Sequence, residues 1–297
     1  PTMKETALVL AGGGAKGSYQ AHIASQIMKN ENVTVITGVS AGALNGAILS
    51  QGDPDHIKEI WKGLRRDDVW SGGYSILRYI KMAFGYRLGL FTAGPLQERL
   101  EKEFDPNDAT VPLEAGCVSL KNGRYVPYTI DPDETYDDAQ VKKARKFITA
   151  SAAVPVGVEP VEVDGELLAD GGIRNIAPVK DAIKYEPDRI VAIFNSNLSR
   201  PAVEGGSNPD HVLQVGESAI RILLNETLRS DVMAARRVNK TIRMTGKTKV
   251  GDASLVPITK IEPSRDLGSA QDFSRETHDR RANVARHDYN EYLKDKQ

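Results

Sequence analysis

The sequence has a single cysteine, no excess of either charge and no long hydrophobic run. Cys117 cannot form an internal disulfide, and no histidine near it in the sequence would activate its thiol. We therefore interpret Cys117 as a small core residue and expect a reducing, cytoplasmic compartment. The 39 basic residues are balanced by 40 acidic residues, which argues against a nucleic-acid-binding protein.

Long apolar segments are also missing. The longest apolar run near the start covers residues 7–11, whereas a membrane span needs roughly 18 residues. The same run is too short for the hydrophobic region of a signal peptide. We therefore expect a soluble protein, and its 297 residues are enough for a single large α/β domain over residues 1–297.

The first fifty residues alternate between apolar runs, glycine-rich turns and helical patterns. The run 6–10 stops at the glycines 12–14, and the β-branched run 32–37 stops at the segment 38–42. Apolar residues at helical spacing follow each turn. Two consecutive strand–glycine–helix units imply right-handed crossovers, so the predicted fold is a three-layer α/β fold whose mostly parallel sheet is covered by helices on both faces.

The later segments contain further predicted elements and one hairpin. Asp164-Gly165 indicates a type I′ turn within residues 161–169, because this pair supplies the positive φ angles that the turn requires. That hairpin ends at Asp170-Gly171-Gly172. The other predicted elements are an interrupted helical stretch over 55–104, strands at 124–130, 189–195 and 255–261, and helices at 137–150, 211–240 and 270–293.

A glycine-rich loop, Gly-Gly-Gly-Ala-Lys-Gly at residues 12–17, matches the G-x-G-x-x-G pattern. A dinucleotide site would also need an acidic residue about 20 positions later, and a Walker phosphate loop would need its lysine after the last glycine. The sequence has neither feature. The backbone N–H groups of Gly12, Gly13 and Gly14 can instead approach a developing oxyanion, while Lys16 either adds positive potential or is a solvated residue at the start of the helix.

The segment 38–42 reads Gly-Val-Ser-Ala-Gly and lies between a predicted strand and a predicted helix. This is the context in which a G-x-S-x-G pattern forms a nucleophile elbow, where glycines permit a sharp turn that exposes the serine. The N-terminus of the following helix favours negative charge on the serine oxygen. Ser40 is therefore a candidate nucleophile, and the alternative is a glycine-rich turn with an incidental serine.

The general base is not evident from spacing. A Ser-Asp-His order would require a downstream histidine, and His211, His278 and His287 are the candidates. Their polar and charged neighbours favour solvated surface histidines, and His22 on the first predicted helix is more typical of a packed or partly exposed residue. A Ser-His-Asp esterase of the α/β-hydrolase type and a non-catalytic nucleotide- or lipid-binding module both remain alternatives.

Taken together, the glycine loop, the Gly-Val-Ser-Ala-Gly segment and Asp170-Gly171-Gly172 resemble the motifs of the patatin-like phospholipases, and the passage 150–155 is also similar. The resemblance covers roughly residues 5–195, and the helical part at about 205–297 carries no recognised motif. It implies a patatin-like fold and a Ser40–Asp170 dyad without histidine, with the glycine loop as oxyanion hole. No metal or organic cofactor is implied, and the substrate would be a phospholipid or lysophospholipid ester. The supporting motif residues are Lys16, Gly17, Gly38, Gly42, Gly171 and Gly172.

A dyad of this kind makes a physical demand on its aspartate. A free aspartate has a pKa of about 3.9 and is a weak base at neutral pH, but burial would raise this value. The apolar residues 167–169 are compatible with burial of Asp170. Without the other motifs, Asp170 would be interpreted as a turn residue ahead of two glycines.

The segment 69–96 is apolar and basic. Arg78, Lys81 and Arg87 are its charged residues between Val69 and Leu96, and we expect it either to contact lipid surfaces peripherally or to pack on the sheet.

Overall fold

The structure is a computed structural model, and it describes residues 3–72, 88–197 and 256–296 together with scattered positions between 215 and 254. Its strands are β1 (Glu5–Leu10), β2 (Asn32–Val39), β3 (Ser71–Gly72), β4 (Gly89–Thr92), β5 (Leu113–Ser119), β6 (Tyr125–Ile130), β7 (Val156–Val158), β8 (Val161–Val163), β9 (Glu166–Asp170), β10 (Arg189–Ile193), β11 (Lys249–Val250), β12 (Ala253–Ser254) and β13 (Ile258–Ile261). Its α-helices are α1 (Gly17–Asn30), α2 (Ala41–Ser50), α3 (His56–Gly63), α4 (Gly94–Glu103), α5 (Asp138–Ser151), α6 (Val179–Ile183) and α7 (Arg275–Lys294).

The central sheet has eight strands. Seven follow the order β13-β10-β1-β2-β5-β9-β8, and β6 pairs with the other edge of β5. The contacts from β13 to β5 are all parallel, whereas β6, β9 and β8 join antiparallel. The predicted α/β class with a mostly parallel sheet is confirmed.

Side chains of β1 alternate between two buried layers, which is why this strand is apolar throughout. Leu8 and Leu10 belong to the core under α1 and α2, whereas Ala7 and Val9 belong to the core under α6. A strand that is covered on both faces reads as a continuous apolar run instead of an alternating one. The helices therefore lie on both faces of the sheet, as predicted.

Strand β5 brings the two halves of the candidate site together. Its first residues pair with β2, and its last residues pair with β9 along the same edge. Gly116 is opposite Val39, and the next residue, Cys117, is opposite Asp170. Because β2 runs parallel and β9 antiparallel to β5, the carboxyl ends of β2 and β9 meet at this point.

The structure corrects several predicted elements. The stretch 55–104 is not mainly helical, because β3 and β4 lie between α3 and α4, and residues 73–87 are outside the described part of the chain. Strand β5 was not predicted. Helix α7 begins at Arg275 and not at 270, because the side chain of Ser274 caps its N-terminus. The predicted Asp164-Gly165 turn is confirmed, with φ angles of 51° and 76°.

The described positions between 215 and 240 are helical, in agreement with the predicted helix 211–240. Within the described part of the chain, no helix is both long enough and apolar enough to cross a membrane.

Candidate active site

Ser40 occupies a sharp turn between β2 and α2. Its φ and ψ angles are 57° and −128°, which is a rare conformation for a residue other than glycine. The turn depends on close backbone contacts, since a Cβ atom at Gly42 would lie 2.0 Å from the Leu10 carbonyl oxygen. A Cβ atom at Gly38 would lie 2.5 Å from the carbonyl oxygen of Gly42. The two glycines of the motif are therefore required for the sharp turn itself.

A buried serine holds this turn against the sheet. The backbone N–H of Ser40 donates to Oγ of Ser151 at 3.0 Å, and the Ser151 hydroxyl donates to the Gly116 carbonyl oxygen at 2.6 Å. Ser151 is the last residue of α5 and is fully buried. Sequence reasoning noted the passage 150–155 for its similarity but assigned Ser151 no role.

Asp170 lies beside the Ser40 hydroxyl at the carboxyl end of β9. The hydroxyl donates a hydrogen bond to the carboxylate, and the N–H of Gly172 donates to Oδ1 at 2.8 Å. Burial raises the pKa of Asp170 to about 6, against the lowering effects of the Gly172 N–H and the Ser40 hydroxyl. Gly171 must lack a side chain, because a Cβ atom there would lie 2.3 Å from the Gly116 carbonyl oxygen.

The glycine loop 12–17 passes close to the serine. A Cβ atom at Gly12 would lie 3.1 Å from the Cβ of Ser40. The N–H of Gly12 donates to the Ile176 carbonyl oxygen at 3.1 Å, so it is already engaged. Within the described residues, the N–H groups of Gly13 and Gly14 have no protein acceptor. These two groups are therefore the ones available to a ligand.

Asn195 supports the loop from behind and was not identified from the sequence. It follows β10, is 1% exposed, and donates from Nδ2 to the carbonyl oxygens of Ala11 and Gly12 at 2.9 and 3.3 Å. A Cβ atom at Gly13 would lie 2.5 Å from the Asn195 Cβ, so this side chain fills the space behind the loop. Its position just after a buried strand was the available signal, since ligands in parallel sheets bind beyond the carboxyl ends of the strands.

The remaining motif residues also lie at the site. Lys16 lines the same cavity as Ser40. Gly17 permits close packing of α1, because a Cβ atom there would lie 2.9 Å from both Ala41 and Trp61. A Cβ atom at Gly172 would be 2.9 Å from Oδ1 of Asp170.

A cavity of about 550 Å³ opens over Ser40, Asp170 and the glycine loop. Most of its wall away from these residues is apolar. Such a cavity suits a hydrocarbon chain, with the polar groups gathered at one end. The apolar wall includes Leu44, Ile48, Ile60, Trp61, Phe91 and Leu96.

The sequence profile of the family described as Patatin-like phospholipase matches residues 8–183, which include all of these motifs. The chain belongs to the patatin-like phospholipase family.

Individual relatives are more distant. Uncharacterized NTE family proteins of Mycobacterium bovis and Mycobacterium tuberculosis are each 27% identical to this chain over 235 residues. The alignment covers 77% of this chain and 59% of each relative, so the chain spans less than two thirds of their length. The solved structure of VipD from Legionella pneumophila aligns with 97% of this chain and 67% of its own, with 15% identity and a TM-score of 0.48.

Histidine does not line the cavity within the described part of this patatin-like chain. His22 and His278 instead pack against each other, with ring centroids 5.4 Å apart, and burial lowers the pKa of His22 to about 4. The interpretation of His278 as a solvated histidine is wrong, because α7 packs this face on α1 and leaves 7% of the residue exposed. His287 is exposed, as predicted, and His211 lies outside the described residues.

Cys117 is a fully buried residue of β5, which confirms its interpretation as a small core residue. Its thiol donates to the Phe147 carbonyl oxygen at 3.2 Å, and burial raises its pKa. A thiol that stays protonated is a poor nucleophile. The residue therefore contributes to packing beside the site.

Proposed function

We propose that this chain hydrolyses a carboxylic ester of a phospholipid or lysophospholipid through a catalytic dyad of Ser40 and Asp170. The observation that carries the proposal is the hydrogen bond from the Ser40 hydroxyl to the buried Asp170 carboxylate, at the polar end of an apolar cavity. In acyl transfer, a nucleophile and its base are expected within hydrogen-bonding reach of each other. Family membership supports the broader assignment as a lipid acyl hydrolase.

In the acylation step, Oγ of Ser40 attacks the ester carbonyl carbon and its proton passes to Asp170. The carbonyl oxygen becomes an oxyanion, which accepts hydrogen bonds from the N–H groups of Gly13 and Gly14. The C–O bond to the leaving group then breaks, and the proton on Asp170 passes to the departing alcohol. A carboxylate pKa near 6 suits both roles, because the group is ionised at neutral pH and still binds a proton transiently.

Deacylation repeats these steps with water as the nucleophile. Asp170 takes a proton from water, the resulting hydroxide attacks the acyl-serine carbonyl, and the Ser40 oxygen leaves with the proton that Asp170 returns. The same glycine N–H groups stabilise the second oxyanion. The products are a fatty acid and the free serine.

We also propose that residues 1–297 act as one catalytic domain, which the C-terminal part helps to build. Strand β13 extends the sheet that carries the motifs, and α7 packs on α1.

Peripheral contact of segment 69–96 with lipid remains a proposal, and residues 73–87 lie outside the described part. Support comes from Leu88, which directly precedes β4 and is 56% exposed, and from Val156 of the neighbouring strand β7, which is 50% exposed. Val156 also lines the cavity. An apolar rim of this kind would help a lipid chain to pass from an aggregate into the cavity.

Labelling with a fluorophosphonate and hydrolysis of a short-chain ester test the proposed function directly. We expect the wild-type chain to react in both assays and Ser40→Ala to lose both, with thermal unfolding unchanged. Replacement of the exposed Ser264 by alanine is the matched control and should leave both intact. A wild-type chain that binds lipid vesicles but neither labels nor hydrolyses would instead be a binding module.

A further inference from the structure

Arg281 of helix α7 is a buried cation held entirely by main-chain carbonyl groups. It is 1% exposed, and its guanidinium donates to four carbonyl oxygens. Nε donates to Leu267 at 2.9 Å, and Nη2 donates to Ser269 at 2.6 Å. Nη1 donates to Asp272 at 2.9 Å and to Ala15 at 2.7 Å. The last of these bonds joins α7 directly to the glycine loop.

Three of the four acceptors belong to one segment, residues 265–272, which we call the cavity-wall loop. Its members from Arg265 to Gln271 line the cavity over Ser40. The loop also bonds to the glycine loop, since the N–H of Ala15 donates to the Ala270 carbonyl oxygen at 2.7 Å. The fit is close, because a Cβ atom at Gly14 would lie 2.6 Å from the same oxygen.

Arg281 and Ala270 therefore fix both polar groups of one peptide residue. The carbonyl of Ala15 accepts from Arg281, and its N–H donates to Ala270. Ala15 directly follows Gly13 and Gly14, whose N–H groups point to no protein acceptor within the described residues. Fixing the residue that follows them limits the rotation of the peptide units that carry these donors.

A buried guanidinium without a carboxylate partner is costly unless its donors are satisfied. Among the described residues Arg281 forms no direct ion pair, and burial lowers its pKa to about 10 against the raising effect of the nearby Asp272 and Asp266 carboxylates, so it remains charged at neutral pH. Its planar fork can hold several acceptors in a fixed geometry, which a lysine ammonium cannot reproduce. Retention of such a group beside the glycine loop is consistent with a demand for accurate loop placement.

We propose that Arg281 is a positioning residue for the oxyanion donors, and that it locks the glycine loop to the cavity-wall loop. The proposal rests on the proposed function of Gly13 and Gly14 as donors. It places a residue outside the family match, which ends at 183, in the support of the active site. The C-terminal part of the chain is then needed for turnover and not for stability alone.

The first test compares Arg281→Lys with Arg286→Lys, an exposed arginine on the same helix. Folding of each variant is verified by circular dichroism. Arg281→Lys should lower kcat for a short-chain ester on the order of 10- to 100-fold, and KM should change by no more than about two-fold. This pattern is expected when a residue that holds the reacting groups in place from a distance is lost. Amide exchange across residues 12–16 should also become faster. Arg286→Lys should change neither quantity. A folded Arg281→Lys protein with unchanged kcat and exchange would overturn the proposal.

A second pair of variants tests the proposal even if Arg281→Lys does not fold. Gly268 in the cavity-wall loop has a φ of 74°, and Gly123 in the β5–β6 turn has a φ of 68°. Alanine is disfavoured in this conformation at both sites, and at Gly268 its Cβ would also lie 2.6 Å from Nη2 of Arg280, so Gly268→Ala should lose at least as much stability as Gly123→Ala. We expect faster exchange at 12–16 and a several-fold lower kcat for Gly268→Ala alone. Equal behaviour of the two variants would overturn the proposal.

Failure of the proposed function would give a different result. The wild-type chain itself would then neither hydrolyse the ester nor label at Ser40. Amide exchange at residues 12–16 would still test the lock between the loops, because this readout does not depend on activity. Unchanged exchange in Arg281→Lys would exclude the lock.

Discussion

The Ser40 hydroxyl donates a hydrogen bond to the Asp170 carboxylate at the point where two strands of opposite direction end. Strand β5 is responsible for this meeting, since its consecutive residues Gly116 and Cys117 pair with Val39 and Asp170. A shift of either register by one residue would turn these side chains to the other face of the sheet. Strand pairing therefore sets where the two strand ends meet, and the strained turn at Ser40 completes the geometry of the pair.

Asp170→Asn should strongly reduce turnover and increase stability at neutral pH. Asparagine keeps the size and can accept the Gly172 hydrogen bond, but it cannot take the Ser40 proton, so acylation should fall by on the order of 100- to 10,000-fold. The pKa of Asp170 is raised from 3.8 to about 6, and each unit corresponds to about 1.4 kcal/mol. Ionisation of Asp170 therefore costs the folded state about 3 kcal/mol at pH 7.

Because the pKa of Asp170 is raised in the folded state, the stability cost of its ionisation appears as the pH rises. Below about pH 4 the carboxyl group is protonated in both the folded and the unfolded chain, so it costs no stability. The cost grows as the pH rises from about 4 to about 6 and is complete above that value. Urea unfolding should thus show Asp170→Asn as more stable than wild type at pH 7 and equal to it near pH 4. Exposed Asp133→Asn is the control, and a pH-independent difference would contradict the raised pKa.

The same pKa predicts the pH dependence of the proposed reaction. In the proposed mechanism Asp170 must be ionised to accept the Ser40 proton, so kcat/KM for a short-chain ester should decline as the pH falls through about 6. The measurement is a pH–rate profile on a substrate that does not titrate in this range. A profile that stays flat down to pH 4.5 would show that Asp170 is not the base.

The parts of the site that could be predicted from the sequence are those with local signals. A glycine-flanked serine between an apolar strand and a helix predicts its own turn, because the close contacts at Gly38 and Gly42 exclude side chains. The hairpin with an Asp-Gly turn predicts that Asp170-Gly171-Gly172 follows a strand end, while the role of Asp170 as a base was implied only by the family resemblance. In each case the residues that define the structure are neighbours in the chain.

Residues that act across the fold were missed for the converse reason. Ser151, Asn195 and Arg281 support the site through contacts with main-chain atoms far away in the sequence, and such contacts leave no local pattern. Strand β5 was missed because it is buried on both faces and lacks the alternation of a half-exposed strand. The prediction that His278 is solvated was wrong, because charged neighbours on a helix do not show which face of that helix packs against the rest of the protein.

Gly13→Ala should reduce both turnover and stability, and a second substitution should separate the two effects. The new Cβ would lie 2.5 Å from the Asn195 Cβ, so the loop must move and carry its N–H groups out of place. Loss of one oxyanion donor typically costs about 100- to 1,000-fold in kcat. Combining it with Asn195→Gly should relieve the overlap and recover part of the unfolding free energy, but it also removes the hydrogen bonds from Asn195 to the Ala11 and Gly12 carbonyl oxygens, so kcat should stay low. Unchanged kcat in a folded Gly13→Ala protein would show that the Gly13 N–H is not a donor.

Replacing His211, His278 and His287 one at a time by glutamine should leave turnover within a few-fold. Within the described residues no histidine lines the cavity, and the Asp170 carboxylate bonds to Ser40 and Gly172 instead. His278→Gln should lose some stability, because its ring packs against His22. Ester hydrolysis normalised to the folded fraction checks this expectation. A loss of 100-fold or more at any of the three would restore a Ser-His-Asp triad.

Ser151→Ala should damage the site without touching the reacting groups. Removal of the hydroxyl leaves the Ser40 N–H and the Gly116 carbonyl without their shared partner, and both lie in the interior. An unsatisfied buried polar group costs about 1–3 kcal/mol, which urea unfolding would detect. The elbow is a strained turn at a φ of 57°, so loss of its tether should also let Ser40 relax away from Asp170 and lower kcat.

The matched variant is Ser151→Thr, which keeps the hydroxyl and adds one methyl group. If the bridge is what matters, threonine should retain more kcat than alanine even though its extra methyl group strains the buried end of α5. Fluorophosphonate labelling rates provide a second readout, since they report the reactivity of Ser40 independently of acyl-chain binding. The opposite outcome is that the folded alanine and threonine variants label equally fast. The Ser151 hydroxyl would then contribute to packing alone and would not hold Ser40 in its reactive conformation.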